Sequence, residues 1–78
     1  MNNDQAIGLM LRMTREVKDI PQNIAAKDLG LSSGGVLSGY EAGNVTLSYS
    51  FVKKAVAYYG ITMKTIEIAV DRLSGGAK

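Results

Sequence analysis

The 78-residue chain has no cysteine, no histidine and no tryptophan, and only one proline and one phenylalanine. Without cysteine there can be no disulfide, thiolate zinc site or sulfur nucleophile. Without histidine the commonest general base and the commonest metal ligand are missing as well. No apolar run approaches the roughly 20 residues a membrane-spanning helix needs, and Met1-Asn2-Asn3-Asp4 does not open like a signal peptide. Charge is slight too. Nine Lys/Arg against seven Asp/Glu leave a formal +2, which permits a polyanionic partner without requiring one. These absences predict a cytoplasmic protein with no cofactor, metal or membrane and no evident small-molecule ligand. They also argue against an enzyme.

What remains is ordinary globular material, 46% hydrophobic and 21% charged. The length suits a single domain. A chain this short buries only about 60–65% of its unfolded surface, so a partner chain would add needed stability.

Helical periodicity punctuated by glycine divides the chain into five segments and leaves no strand. The first helix is predicted from about Gln5 to Lys18. Ile7, Met10, Leu11, Thr14 and Val17 form its buried stripe, while Arg12, Arg15, Glu16 and Lys18 stay wet. It ends at Asp19-Ile20-Pro21, because proline disfavours helical geometry in the residue before it. Pro21 then suits the first turn of a second helix, Gln22 to Leu29, which faces inward with Ala25, Ala26 and Leu29 and stops at Gly30. A third helix spans Ser33 to Ala42, capped by Ser32 or Ser33, with Val36, Leu37 and Tyr40 as its apolar contacts and Gly43 as its stop. Its glycines at 34, 35 and 39 each cost up to about 1 kcal/mol relative to alanine, so neighbours must hold it. The fourth helix starts near Thr46 or Ser48 and ends at Tyr59-Gly60, burying Phe51, Val52, Ala55, Val56 and Tyr59. The fifth is capped by Thr62 and runs to about Leu73.

The ordered set Pro21-Gln22, Ala26, Leu29-Gly30-Leu31-Ser32-Ser33, Leu37-Ser38 and Tyr40-Glu41-Ala42-Gly43-Asn44 resembles the helix-turn-helix of the Cro/cI-like (Xre) family. The flanking helices are similar as well, including the step Tyr59-Gly60-Ile61-Thr62, so the resemblance covers roughly residues 7–66. It implies an all-α, compact five-helix lambda-repressor-like domain over residues 1–73. The motif would lie at about 21–43, a dimerisation helix at about 62–73 and a flexible tail at 74–78. The function implied is a sequence-specific DNA-binding transcription regulator, a repressor of the small phage or mobile-element type. It would bind double-stranded DNA at a pseudo-palindromic operator as a homodimer.

Residue by residue, the resemblance implies base reading from Ser32, Ser33, Gly34, Gly35 and Ser38. Gln22 resembles the family's phosphate-clamping glutamine at a helix N-terminus. Asn44, Thr46, Ser48 and Ser50 fall where family members touch the operator backbone. Arg12 and Arg15, one helical turn apart, form the best basic pair for phosphates, ahead of the scattered Lys18, Lys27, Lys53 and Lys54. Glu41 resembles the family's structural glutamate, which ties helices together through Arg12 or Arg15. Tyr40 and Tyr59 fall on apolar faces, which speaks against a base-stacking platform, and Tyr49 is the exposed candidate.

Two departures from the family pattern matter. The run between Gly30 and Leu37 holds one residue more than usual, which lengthens the turn or shifts the third helix. That helix also offers only serines and glycines where the family carries Gln, Arg, Lys or Asn. The second departure favours an alternative, a protein-binding module on the same fold that has lost base readout. For self-association, Met63, Ile66, Val70 and Leu73 recur at three and four residues and form a candidate homodimer seam. The same stripe could instead close the monomer's own core, although Ile68 is apolar and lies off it.

Overall fold

The computed structural model describes residues 1–74, and among them it contains five helices and no strand: α1 (Asn3–Val17), α2 (Gln22–Asp28), α3 (Gly34–Ala42), α4 (Tyr49–Tyr59) and α5 (Met63–Leu73). The chain is all-α and compact, with a radius of gyration of 11.6 Å. Among the described residues, no helix is long and apolar enough to cross a membrane. Of the expected tail, Ser74 is the C-cap of α5 and residues 75–78 lie outside the described residues.

Short polar side chains start four of the helices. Asn2 accepts from the Gln5 amide at 2.8 Å while Gln5 Oε1 accepts from the Asn2 amide at 2.9 Å, a reciprocal cap that starts α1 at Asn3 rather than Gln5. Ser33, Ser48 and Thr62 cap α3, α4 and α5. The choices left open between Ser32 and Ser33, and between Thr46 and Ser48, are thereby decided. α2 has no side-chain cap, and Pro21 stands just ahead of it instead.

One closing pattern recurs at the end of α1 to α4. An amide two or three residues past the helix returns to a carbonyl five residues back: Ile20 to Arg15, Leu31 to Ala26, Asn44 to Gly39 and Ile61 to Val56. The pattern needs a left-handed residue before that amide. Gly43 supplies it at φ 77°, and a Cβ there would also sit 2.6 Å from Gln5 Cα. At the end of α1 the left-handed residue is Asp19, at φ 56°. The stop therefore comes from Asp19 as well as from Pro21. Ile20, Leu31 and Ile61 follow these turns and pack onto the core, which fixes where the next helix begins.

The core gathers Leu11, Ala25, Ala26, Leu29, Leu37, Val52, Ala55, Val56, Tyr59 and Ile66, together with Leu47 from the loop before α4. A close backbone approach joins α1 to α3. A Cβ built on Gly8 would lie 2.4 Å from the Tyr40 carbonyl oxygen and 2.7 Å from that of Glu41. Only glycine fits there. Tyr59 is fully buried, and its hydroxyl has no hydrogen-bond partner among the described residues.

Three expectations need correction. Val17, assigned to the buried stripe, is 84% exposed, because it ends α1 at the edge of an open hollow shared with Met13 and Ile61 and no helix covers it. Val36, assigned an apolar contact, is exposed, since α3 turns Leu37 and Glu41 inward instead. Arg15, assigned to the wet face, is buried and only 8% exposed.

Gly8 and Gly39 predict opposite signs for the same substitution. Gly8→Ala is expected to lose about 1–3 kcal/mol through the backbone clash, despite alanine's better helix propensity. Gly39→Ala, where a Cβ meets nothing within 4 Å, should gain about 0.5–1 kcal/mol. Urea unfolding of both variants checks this; a stabilised Gly8→Ala would contradict the close contact.

Tyr59 predicts an alkaline limit. Burial, reinforced by the nearby Glu41 charge, pushes its hydroxyl from 10.0 up to about 12. The folded state therefore holds a proton that the unfolded state releases near pH 10. Stability from this group is complete below pH 10 and falls as pH rises from there through about 12. Tyr59→Phe should flatten that fall and leave stability at pH 7 unchanged or higher, since no hydrogen bond is lost. Urea midpoints from pH 8 to 11.5 measure it.

Candidate nucleic-acid interface

α3 is bound inward at one point above all. Arg15 Nε donates to Glu41 Oε2 at 2.8 Å and Arg15 Nη2 to Oε1 at 3.1 Å, a bidentate pair between α1 and α3. The side chains are 10% and 3% exposed, so the pair is out of water. Arg15 Nη1 also donates to the Ile20 carbonyl at 2.9 Å, which ties the pair to the turn after α1. The hydrogen bond from Arg15 to Glu41 is the main cause that raises the guanidinium pKa. Gln22 joins from the N-terminus of α2, its Nε2 donating to Glu41 Oε1 at 3.0 Å. One carboxylate thus links three helices.

Above this network lies a polar cleft of about 380 Å³, walled by Arg12, Arg15, Glu16, Gln22, Ser38 and Glu41. Four residues proposed from sequence, Arg12, Arg15, Gln22 and Ser38, come together here. Their charge is already balanced: Arg12 pairs with Glu16 at 3.1 Å on the surface, and Arg15 pairs with Glu41. Arg15 is occupied by Glu41, which settles the choice between Arg12 and Arg15 as the glutamate's partner.

The outward side of α3 is sparse. Ser32, Ser33, Gly35 and Ser38 are exposed. Gly34 is not part of that surface. It is half-buried against α2, where a Cβ would meet Asn23 Cα at 3.4 Å, so its role is packing. Ser33 Oγ is also engaged, accepting from the Val36 amide at 3.4 Å as the helix cap. Val36 and Ala42 complete the exposed surface, which carries no charged and no amide side chain.

Asn44, Thr46 and Ser48 lie exposed in the connection from α3 to α4 and do not line the cleft. Ser48 is the α4 cap, accepting from the Phe51 amide at 3.1 Å, and its hydroxyl lies 3.3 Å from that of Ser50. Two contacts that the sequence reading misses brace this side. Lys54 Nζ donates to the Leu29 carbonyl at 2.9 Å, and Tyr58 donates to Asp28 Oδ2 at 2.6 Å. A lysine at a helix C-terminus follows from the dipole, but the pairing needs two helices 25 residues apart to meet. Tyr40 stacks obliquely on Phe51 with ring centroids 4.6 Å apart, and Tyr49 is exposed.

The proposed seam on α5 divides. Ile66 is 3% exposed and belongs to the monomer's core, which removes it from any contact with a second copy. Met63, Val70 and Leu73 are half-buried. Apolar surface remains on either side of Met13, in two hollows of about 300 Å³ each, one reaching Val17 and Ile61 and the other Ile68 and Leu73. Compared with family models, curated proteins and solved structures, the chain matches none.

The two ion pairs predict very different losses. Glu41→Ala leaves Arg15 buried and unpaired and should cost about 3–5 kcal/mol, enough to unfold so small a domain. Arg12→Ala removes an exposed pair and should cost less than about 1 kcal/mol. Thermal melts followed by circular dichroism separate the two; equal losses would overturn the assignment of Glu41 as the tie between helices.

Proposed function

We propose that the chain is a sequence-specific DNA-binding transcription regulator, a repressor of the small phage or mobile-element type. In this reading α2 and α3 act as a helix-turn-helix, and a homodimer spans a pseudo-palindromic operator. The observation that carries the reading is the Glu41 network. It holds α3 from behind through Arg15 and Gln22 while leaving the opposite face of α3 exposed. A reading helix needs that arrangement, anchored on one side and open on the other. The resemblance of residues 21–44 to Cro/cI-like proteins, with its structural glutamate, supports the same conclusion.

Gln22 and the first amides of α2 would meet one phosphate, with Ser38 and Arg12 at the rim of the same cleft. Asn44, Thr46 and Ser48 would follow the backbone further along. Ser32, Ser33, Gly35 and Ser38 face the bases, and so few hydrogen-bonding groups leave much of the specificity to DNA shape. The half-buried α5 residues Met63, Val70 and Leu73, with the apolar surface around Met13 and Ile68, supply the ground for dimerisation.

A protein-binding module on the same fold, such as an antirepressor or adaptor, is the second reading. It is favoured by the neutralised arginines and by an α3 without a basic residue.

A gel-shift series with the DNA immediately upstream of the chain's own gene, challenged with excess unrelated duplex, tests the proposal. The expected result is a discrete complex that survives competitor, with a modest salt slope of about 3–6 released counterions per dimer. Gln22→Ala and Ser38→Ala should each weaken it about 3–10-fold, one hydrogen bond's worth, with circular dichroism unchanged. A complex erased by competitor, and no discrete complex from random-sequence selection, would shift the weight to the protein-binding module.

A further inference from the structure

We propose that Val36 is a specificity-determining residue, one that reads the 5-methyl group of a thymine in each half of the operator. The inference rests on the DNA-binding reading above and deepens it by naming a base feature. The exposed surface around α3 comprises Ser32, Ser33, Gly35, Val36, Ser38 and Ala42. Among these, Val36 is the one side chain larger than a hydroxymethyl or methyl group.

Its position is unexpected for a valine. Periodicity alone assigns it an apolar contact, yet it is 38% exposed and absent from the buried core, which α3 meets through Leu37. α3 begins at Gly34, so Val36 lies in its first turn, where a helix entering a groove end-on makes its base contacts. The chemistry of the surface then selects the feature read. Guanine and adenine are discriminated by bidentate Arg, Lys, Asn or Gln, and this surface has none. The apolar feature that a base pair shows in the major groove is the thymine methyl, which suits an isopropyl group. Neighbouring Gly35 adds no bulk: a Cβ there would meet only the Ser33 hydroxyl, at 3.6 Å. Val36 can therefore come into van der Waals contact with the groove floor.

The test replaces thymine by deoxyuridine, which removes the methyl and nothing else. A duplex selected by the wild-type chain from a random-sequence library is the probe, with each thymine replaced in turn. One position in each half-site is expected to lose about fourfold in affinity, the worth of one buried methyl group. The Val36→Ala variant should bind the unmodified duplex more weakly and lose the difference between thymine and deoxyuridine at that position. Circular dichroism should be unchanged, since alanine is the better helix former. Wild-type protein that binds specifically yet is indifferent to every replacement overturns the role of Val36 and leaves DNA binding standing. A Val36→Ala variant that still discriminates thymine from deoxyuridine overturns it equally. Failure to select any duplex overturns the reading beneath it.

Discussion

A buried guanidinium and a buried carboxylate hold this small domain in its shape. Arg15 and Glu41 lose their water when α1 and α3 close, and each compensates the other through two hydrogen bonds. The pair is geometrically demanding, because a bidentate contact tolerates little sliding. It therefore sets the register between the helices as well as their separation. Gly8 permits the approach by placing no side chain between the α1 backbone and the carbonyls of Tyr40 and Glu41. Remove either element and α3 loses its tie to α1, leaving Leu37 in the core and its packing on α2 to hold a helix whose own sequence is rich in glycine.

The same network explains how a helix of poor intrinsic propensity can present an open face. Leu37 and Glu41 face inward, one into the apolar core and one into the ion pair. Gln22 extends the arrangement to α2, so the two helices of the candidate motif and the long α1 share one carboxylate. On the other side, Lys54 and Tyr58 reach from α4 to the last residues of α2. α2 is only seven residues long and lacks a side-chain cap, so these contacts replace what its own ends do not provide.

The functional reading draws its strength from this division between a held face and a bare one. Charge contributes little: both arginines near the cleft are matched by carboxylates, and the formal excess is +2. Attraction to phosphates would come from helix N-termini and scattered lysines rather than from a basic stripe. Selectivity would come from shape and from small apolar contacts in the groove.

Local chemistry determined most of the architecture. Five helices, their stops at Gly30, Gly43 and Gly60 and the inward set Ala25, Ala26, Leu29, Ala55 and Val56 follow from periodicity and from glycine's access to left-handed backbone. These features depend on residues within a turn or two of each other. What local spacing could not decide was which apolar and charged residues would be covered by distant parts of the chain. Periodicity assigned Val17 and Val36 to the interior and Arg15 to solvent, and all three assignments reversed. Val17 sits at the edge of a hollow that no helix covers, Val36 where α3 turns another face inward, and Arg15 where Glu41, 26 residues away, arrives to pair with it. Burial at those positions is a property of how helices cross, and only the tertiary structure brings the crossing partners together.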